Sequence, residues 1–224
     1  LLAEDGPDNR QLIGAFLARL GLECELVENG AQAVERALGG DFDLILMDVQ
    51  MPVLDGVAAT RTLRAAGYGA PVVALTANLM AEDVQRYLAS GCSRCVGKPI
   101  DFRLLADCLA ELLGGADGAA PAPLDIETLD GYAAIRRAFE DGLVPRLEQL
   151  RALAGAADWD GVAALAHTLK GSAGSFGYPR VTELTRHIEQ ALRAGDGARA
   201  AALAEQLLAL EEIQTLHHSR SING

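Results

Sequence analysis

Leu44-Ile45-Leu46-Met47-Asp48-Val49-Gln50-Met51-Pro52-Val53-Leu54-Asp55-Gly56 sets four apolar residues against an acid and then breaks into a loop that closes on Asp-Gly. An apolar run this short, bounded by turn residues, reads as a strand buried on both faces. Working outward, residues 1–3, 23–27, 72–75 and 95–97 read as four more strands beside 44–47. Helical patterns fill 8–20, 31–38, 57–66, 82–90 and 101–113 between and after them. Strand-helix alternation predicts a parallel sheet covered on both faces. Ligands of such sheets sit beyond the carboxyl ends of the strands. On this assignment Glu4-Asp5, Asp48, Thr76 and Lys98 each follow one strand, so positions scattered through the sequence converge on one rim.

The chain has 224 residues, room for two small domains that each bury a core. Half of the residues are apolar, yet no segment approaches the roughly 18 uninterrupted apolar positions of a membrane span. We therefore expect no membrane contact by this chain. A formal charge of −12 with no cluster of Lys and Arg argues against a nucleic-acid surface. Cys24, Cys92, Cys95 and Cys108 form no disulfide framework and suit a reducing cytoplasm. Cys92-x-x-Cys95 lacks a second ligand pair and reads as packing thiols. Only Leu1, Leu2 and Ala3 precede the first acids, short against a mean strand of about 5–6 residues. That start predicts a piece of a longer protein.

A linker is expected over 114–123, rich in Gly, Ala and Pro, with nothing to bury. It separates a domain at 1–113 from one at 124–215, with a tail at 216–224. Everything after the linker has helical period. Pro145 and Pro179 suit first helical positions, Asp196 suits a cap, and Leu203, Leu207, Leu210 and Ile213 form a last apolar stripe. Around the first of the four histidines, Val162, Leu165, Leu169, Ala173 and Phe176 share an inward face. His167, Lys170, Gly171 and Gly174 fall on the opposite one. Glycine costs about 1 kcal/mol against alanine inside a helix. Two of them beside an exposed imidazole predict close approach by another protein's backbone. His187, His217 and His218 read as solvated surface.

Residues 1–113 resemble a response-regulator receiver domain, through Leu2-Ala3-Glu4-Asp5, the stretch 44–56, Ala74-Leu75-Thr76-Ala77-Asn78 and Gly97-Lys98-Pro99-Ile100. Residues from 124 to 215 resemble a histidine-containing phosphotransfer (HPt) domain, through Ala166-His167-Thr168-Leu169-Lys170-Gly171-Ser172-Ala173-Gly174-Ser175-Phe176-Gly177. The resemblance implies an α/β domain, a flavodoxin-like (βα)5 receiver with a five-stranded parallel sheet, followed by an all-α four-helix bundle. The order of the two is similar to the C-terminal end of a hybrid sensor histidine kinase. It implies that Asp48 accepts a phosphoryl group from a phosphohistidine and that His167 passes it to the aspartate of a downstream response regulator. The donor would be an upstream kinase core in the same polypeptide. Thr76, Lys98 and Lys170 would assist at the two sites, and Gly171 and Gly174 would serve docking. Mg2+ is the implied cofactor, held by Glu4, Asp5, Asp48 and the backbone carbonyl of Gln50.

One departure from that family stands out. Its members usually carry an aromatic ring three residues before the lysine, which swings inward on phosphorylation, and here the position is Cys95. A thiol cannot report in that way, so a weak surface change is expected. A module that keeps both folds only as docking surfaces is the runner-up reading. A haloacid-type hydrolase is disfavoured because Gln50 stands where its second acid would be.

Overall fold

In a computed structural model of the chain, residues 1–114, 126–129 and 131–216 are described. The expected linker beyond Gly114 and the expected tail beyond Leu216, with His217 and His218, lie outside them. The chain divides into two compact units that part between Tyr132 and Ala133.

The first unit alternates β1 (Leu2–Ala3), α1 (Pro7–Arg19), β2 (Leu26–Val27), α2 (Gly30–Gly39), β3 (Ile45–Asp48), α3 (Gly56–Ala65), β4 (Val72–Thr76), α4 (Ala81–Ala89), β5 (Arg94–Gly97) and α5 (Phe102–Leu112). All pairings are parallel, in the order β2-β1-β3-β4-β5. Every residue of β3 and β4 is buried, as uninterrupted apolar runs demand when helices cover both faces. Three of the helices start on side chains that accept backbone N–H groups: Asn29 from Gln32, Asp55 from Ala58, and Asp101 from Arg103 and Leu104. The strand order reverses between β1 and β3, so the crevice opens at their carboxyl ends.

Asp48 and Thr76 are the last residues of their strands and not, as expected, the first beyond them. Their backbones still hold sheet register, Asp48 opposite Leu75 and Thr76 opposite Gly97, and this pins their side chains more firmly than a loop would. Gly56 serves the same end, because a Cβ there would lie 2.1 Å from the Asp48 carbonyl oxygen.

The second unit is helical. Among its α-helices are α6 (Tyr132–Gly155), α7 (Trp159–Ser172), α8 (Pro179–Arg193) and α9 (Gly197–Leu208), with a 3-10 turn at Ala173–Phe176 after α7 and further helical residues at 211–216. Pro179 opens α8, and Asp196 caps α9 by accepting from the Arg199 N–H. The stripe of Leu203 and Leu207 runs on beyond α9 to Leu210 and Ile213, all buried. The Phe139 and Phe176 rings stack with centroids 4.3 Å apart, joining α6 to the 3-10 turn.

Pro145 does not begin a helix. It lies inside α6, where its missing N–H leaves a carbonyl of the preceding turn without its usual donor. Arg146, the next residue, folds back along the helix. Its guanidinium donates to Gly142 O at 3.0 Å and Phe139 O at 3.1 Å while lying 4.9 Å from the Phe139 ring centroid.

Two expectations about α7 also need correcting. The face of His167 and Lys170 is not solvated, since Lys170 is 8% exposed and His167 half-buried. Both turn toward α8, whose Glu189 lies 3.0 Å from His167 Nδ1 and pairs with the Lys170 ammonium. Gly174 lies in the 3-10 turn, so the helix-interior glycine argument applies to Gly171 alone.

Candidate functional site

At the rim of the sheet the Lys98 ammonium lies 2.6 Å from Glu4 Oε2 and 2.6 Å from Asp48 Oδ2. All three side chains are almost wholly buried. Glu4 is clamped from its other oxygen, Oε1, which accepts from Gly6 N–H and Asn9 Nδ2, both at 3.3 Å. Arg10 fixes the backbone beneath by donating to Glu4 O at 2.7 Å and Asp5 O at 3.2 Å. Burial opposes charge on Lys98, but the Asp48 and Glu4 carboxylates outweigh it and hold the ammonium above its usual range. Burial, together with repulsion from Asp48, pushes the Glu4 carboxyl up against the pull of Lys98.

Glu4, Asp5 and Asp48 each offer a carboxylate oxygen, and these oxygens lie within 4.8 Å of one another. Hard oxygen donors at that spacing fit a hard divalent cation. The Gln50 N–H donates to Asp48 Oδ1 at 3.1 Å, which brings residue 50 to the same place. Thr76 is placed beside Lys98 by the sheet, the Lys98 N–H bonding Thr76 O at 2.6 Å. Its hydroxyl lies 3.1 Å from the hydroxyl of Tyr87 on α4.

In the second unit the His167 Nδ1 lies 3.0 Å from Glu189 Oε1, and the Lys170 ammonium 2.7 Å from Glu189 Oε2. One carboxylate thus orients an imidazole and neutralises the lysine one turn away. Burial would raise the Glu189 carboxyl, yet the hydrogen bonds from His167 and Lys170 hold it below the usual range. Glu189, Arg10 and Tyr87 were missed in the sequence. A signal for Glu189 existed, since it borders the apolar stripe of α8 and a buried lysine requires an acid.

Residues 1–110 match the family of the response regulator receiver domain, and residues 134–217 match that of the Hpt domain. The chain is a receiver domain followed by an HPt domain. This pairing places it in two-component phosphorelay signalling. The signal transduction histidine-protein kinase BarA of Shigella flexneri is 35% identical over 220 residues, covering 87% of this chain and 24% of the relative. The receiver–HPt chain therefore spans about a quarter of that relative's length. Sensor histidine kinase RcsC of Salmonella typhimurium is 38% identical over 110 residues, 49% of this chain and 12% of the relative. Among solved structures, the receiver domain of sensor histidine kinase PA1611 from Pseudomonas aeruginosa is 41% identical, covering 50% of this chain and 94% of that one at a TM-score of 0.48. That protein carries a magnesium ion coordinated in its active site cleft. Among the described residues of the receiver–HPt chain, no helix is long and apolar enough to cross a membrane.

Proposed function

We propose that the receiver and HPt domains relay one phosphoryl group within a hybrid sensor histidine kinase, from an upstream phosphohistidine to Asp48, then to His167, and from His167 to the aspartate of a separate response regulator. The observation that carries this reading is the buried Lys98 bridging Glu4 and Asp48 beside a third carboxylate. A carboxylate oxygen of Asp48 attacks phosphorus, the P–N bond of the donor breaks, and the imidazole leaves with the electron pair. Phosphoryl transfer asks a protein mainly for positioning and charge neutralisation. Lys98 supplies a cation to a phosphoryl oxygen and Thr76 a hydroxyl donor to another. Mg2+, held by Asp5, Asp48, the Gln50 carbonyl and Glu4 through water, would supply the remaining positive charge.

On the HPt side, an Nδ1–H donated to Glu189 leaves the nucleophilic lone pair of neutral His167 at Nε2. As Nε2 bonds to phosphorus the ring gains positive charge, which Glu189 faces across its hydrogen bond. Gly171 and Gly174 leave space for the incoming receiver rim. The downstream partner is the aspartate of a separate response regulator.

The test uses the full chain, an ATP-charged histidine kinase core and Mg2+. Base-labile label is expected on Asp48, lost in Asp48→Asn and after chelation. His167→Gln should keep the Asp48 label and stop onward transfer to a regulator. Label persisting in Asp48→Asn, or undiminished onward transfer from His167→Gln, overturns the reading.

A further inference from the structure

Cys95 leads one to expect a receiver whose surface hardly registers phosphorylation, but an aromatic hydroxyl reaches Thr76 from another element. Tyr87 on α4 is 2% exposed, and its hydroxyl stands 3.1 Å from Thr76 Oγ1. The contact is part of a closed polar ring. Asn78 N–H donates to Thr76 Oγ1 at 3.1 Å, and the Asn78 side-chain amide donates to Asp83. Asp83 pairs with Arg86 at 2.9 Å, and Arg86 Nη2 donates to the Tyr87 hydroxyl at 3.4 Å. Tyr87 then returns to Thr76. The ring joins the end of β4 to the body of α4.

We propose that this ring, through Tyr87, conveys the phosphorylation state of Asp48 to the surface of α4. The inference rests on the reading above in one respect, that Thr76 donates to a phosphoryl oxygen on Asp48. A hydroxyl has one proton and two lone pairs. In the resting protein one lone pair accepts from Asn78 N–H, and the proton has two acceptors in reach, Asn78 O at 3.2 Å and the Tyr87 hydroxyl. A phosphoryl group withdraws that proton from both. The contact with Tyr87 then survives only with its direction reversed, Tyr87 donating into the remaining lone pair of Thr76. Arg86 already donates to the Tyr87 oxygen, so the phenolic proton can turn that way. Any movement of Thr76 toward the phosphoryl group must draw the buried ring with it or leave the buried phenolic proton without this acceptor, which is costly. In either case α4 moves or its ring of bonds is rewired. Leu79, Met80 and Leu88 stand exposed on and beside that helix, so the change is presented to a partner.

The test compares backbone amide shifts of the full chain with and without Mg2+ and beryllofluoride, a phosphoryl mimic, in the unmodified protein, Tyr87→Phe and Arg86→Gln. Phenylalanine keeps the buried ring and removes only the hydroxyl. Arg86 is more than half exposed, so its replacement opens the ring of bonds without disturbing the core. Shifts are expected next to Asp48 and along residues 81–89 in the unmodified protein. Both variants should keep the first set, with the second reduced about twofold or more. Undiminished shifts along α4 in Tyr87→Phe, or none there in the unmodified protein while Asp48 responds, overturn the inference alone. No response next to Asp48 overturns the acceptor reading and this inference with it.

Discussion

Glu189 shows how much one side chain outside the motifs can decide. Its carboxylate holds the His167 ring at Nδ1 and neutralises Lys170, so Glu189→Gln weakens both contacts at once. We expect the variant to lose about 1.5–3 kcal/mol, the scale of hydrogen bonds to charged groups. Transfer from His167 should slow by roughly 10-fold, the scale on which a carboxylate partner tunes an imidazole. A carboxyl held below its ordinary value of 4.5 contributes stability that is fully present above pH 4.5 and is lost as pH falls through its lower folded value. Melting of the two proteins should therefore differ at neutral pH and converge in acid below 4.5. A constant difference would assign the loss to packing. Glu4, Asp48 and Lys98 were legible in the sequence because each is fixed by the end of its own strand. Glu189 was not, because its partners belong to another helix and only packing brings α7 against α8.

Elements repeat the contrast. Periodicity marked every helix of the receiver to within a residue or so, since it is a local property of the chain. Pro145 was misread because a first-turn proline and an interior one look alike in the sequence, and only the packing of the flanking turns, with Leu143, Val144 and Leu147 buried, distinguishes them. Arg146→Ala should lower the melting temperature of the HPt domain, since it removes the bonds to Gly142 O and Phe139 O and the contact with the Phe139 ring. Pro145→Ala should raise it, as it restores a backbone donor in a position where an interior proline costs about 3 kcal/mol. An unchanged melting temperature in Arg146→Ala would show that Arg146 is ornamental. Gly171 stands one turn from His167 near the end of α7. Gly171→Gln should melt no lower, since it relieves up to about 1 kcal/mol of helix penalty. Yet phosphoryl exchange with a receiver should fall by about 100-fold, because misplacement of about 1 Å costs that much. Unchanged exchange, measured alongside the melt, would remove the case for close approach at this face.

At the scale of the whole molecule, the division into an α/β unit and a helical unit was readable from the change of period, as the packing of each follows from its own pattern. The contacts that complete the acceptor site reach far along the chain. Lys98 meets Glu4 across 94 positions of chain and Asp48 across 50. Contacts so distant along the chain are slow to form, because the intervening loop must be closed before they reward it. Until β5 docks, a nascent receiver holds its acids without their lysine. Lys98→Met should accordingly leave the refolding rate nearly unchanged and speed unfolding, as for any contact absent from the transition state. Equal slowing of refolding, read from a denaturant chevron, would place the contact early instead. Competence to receive a phosphoryl group thus arrives only with the finished fold, so a half-made receiver cannot intercept the signal.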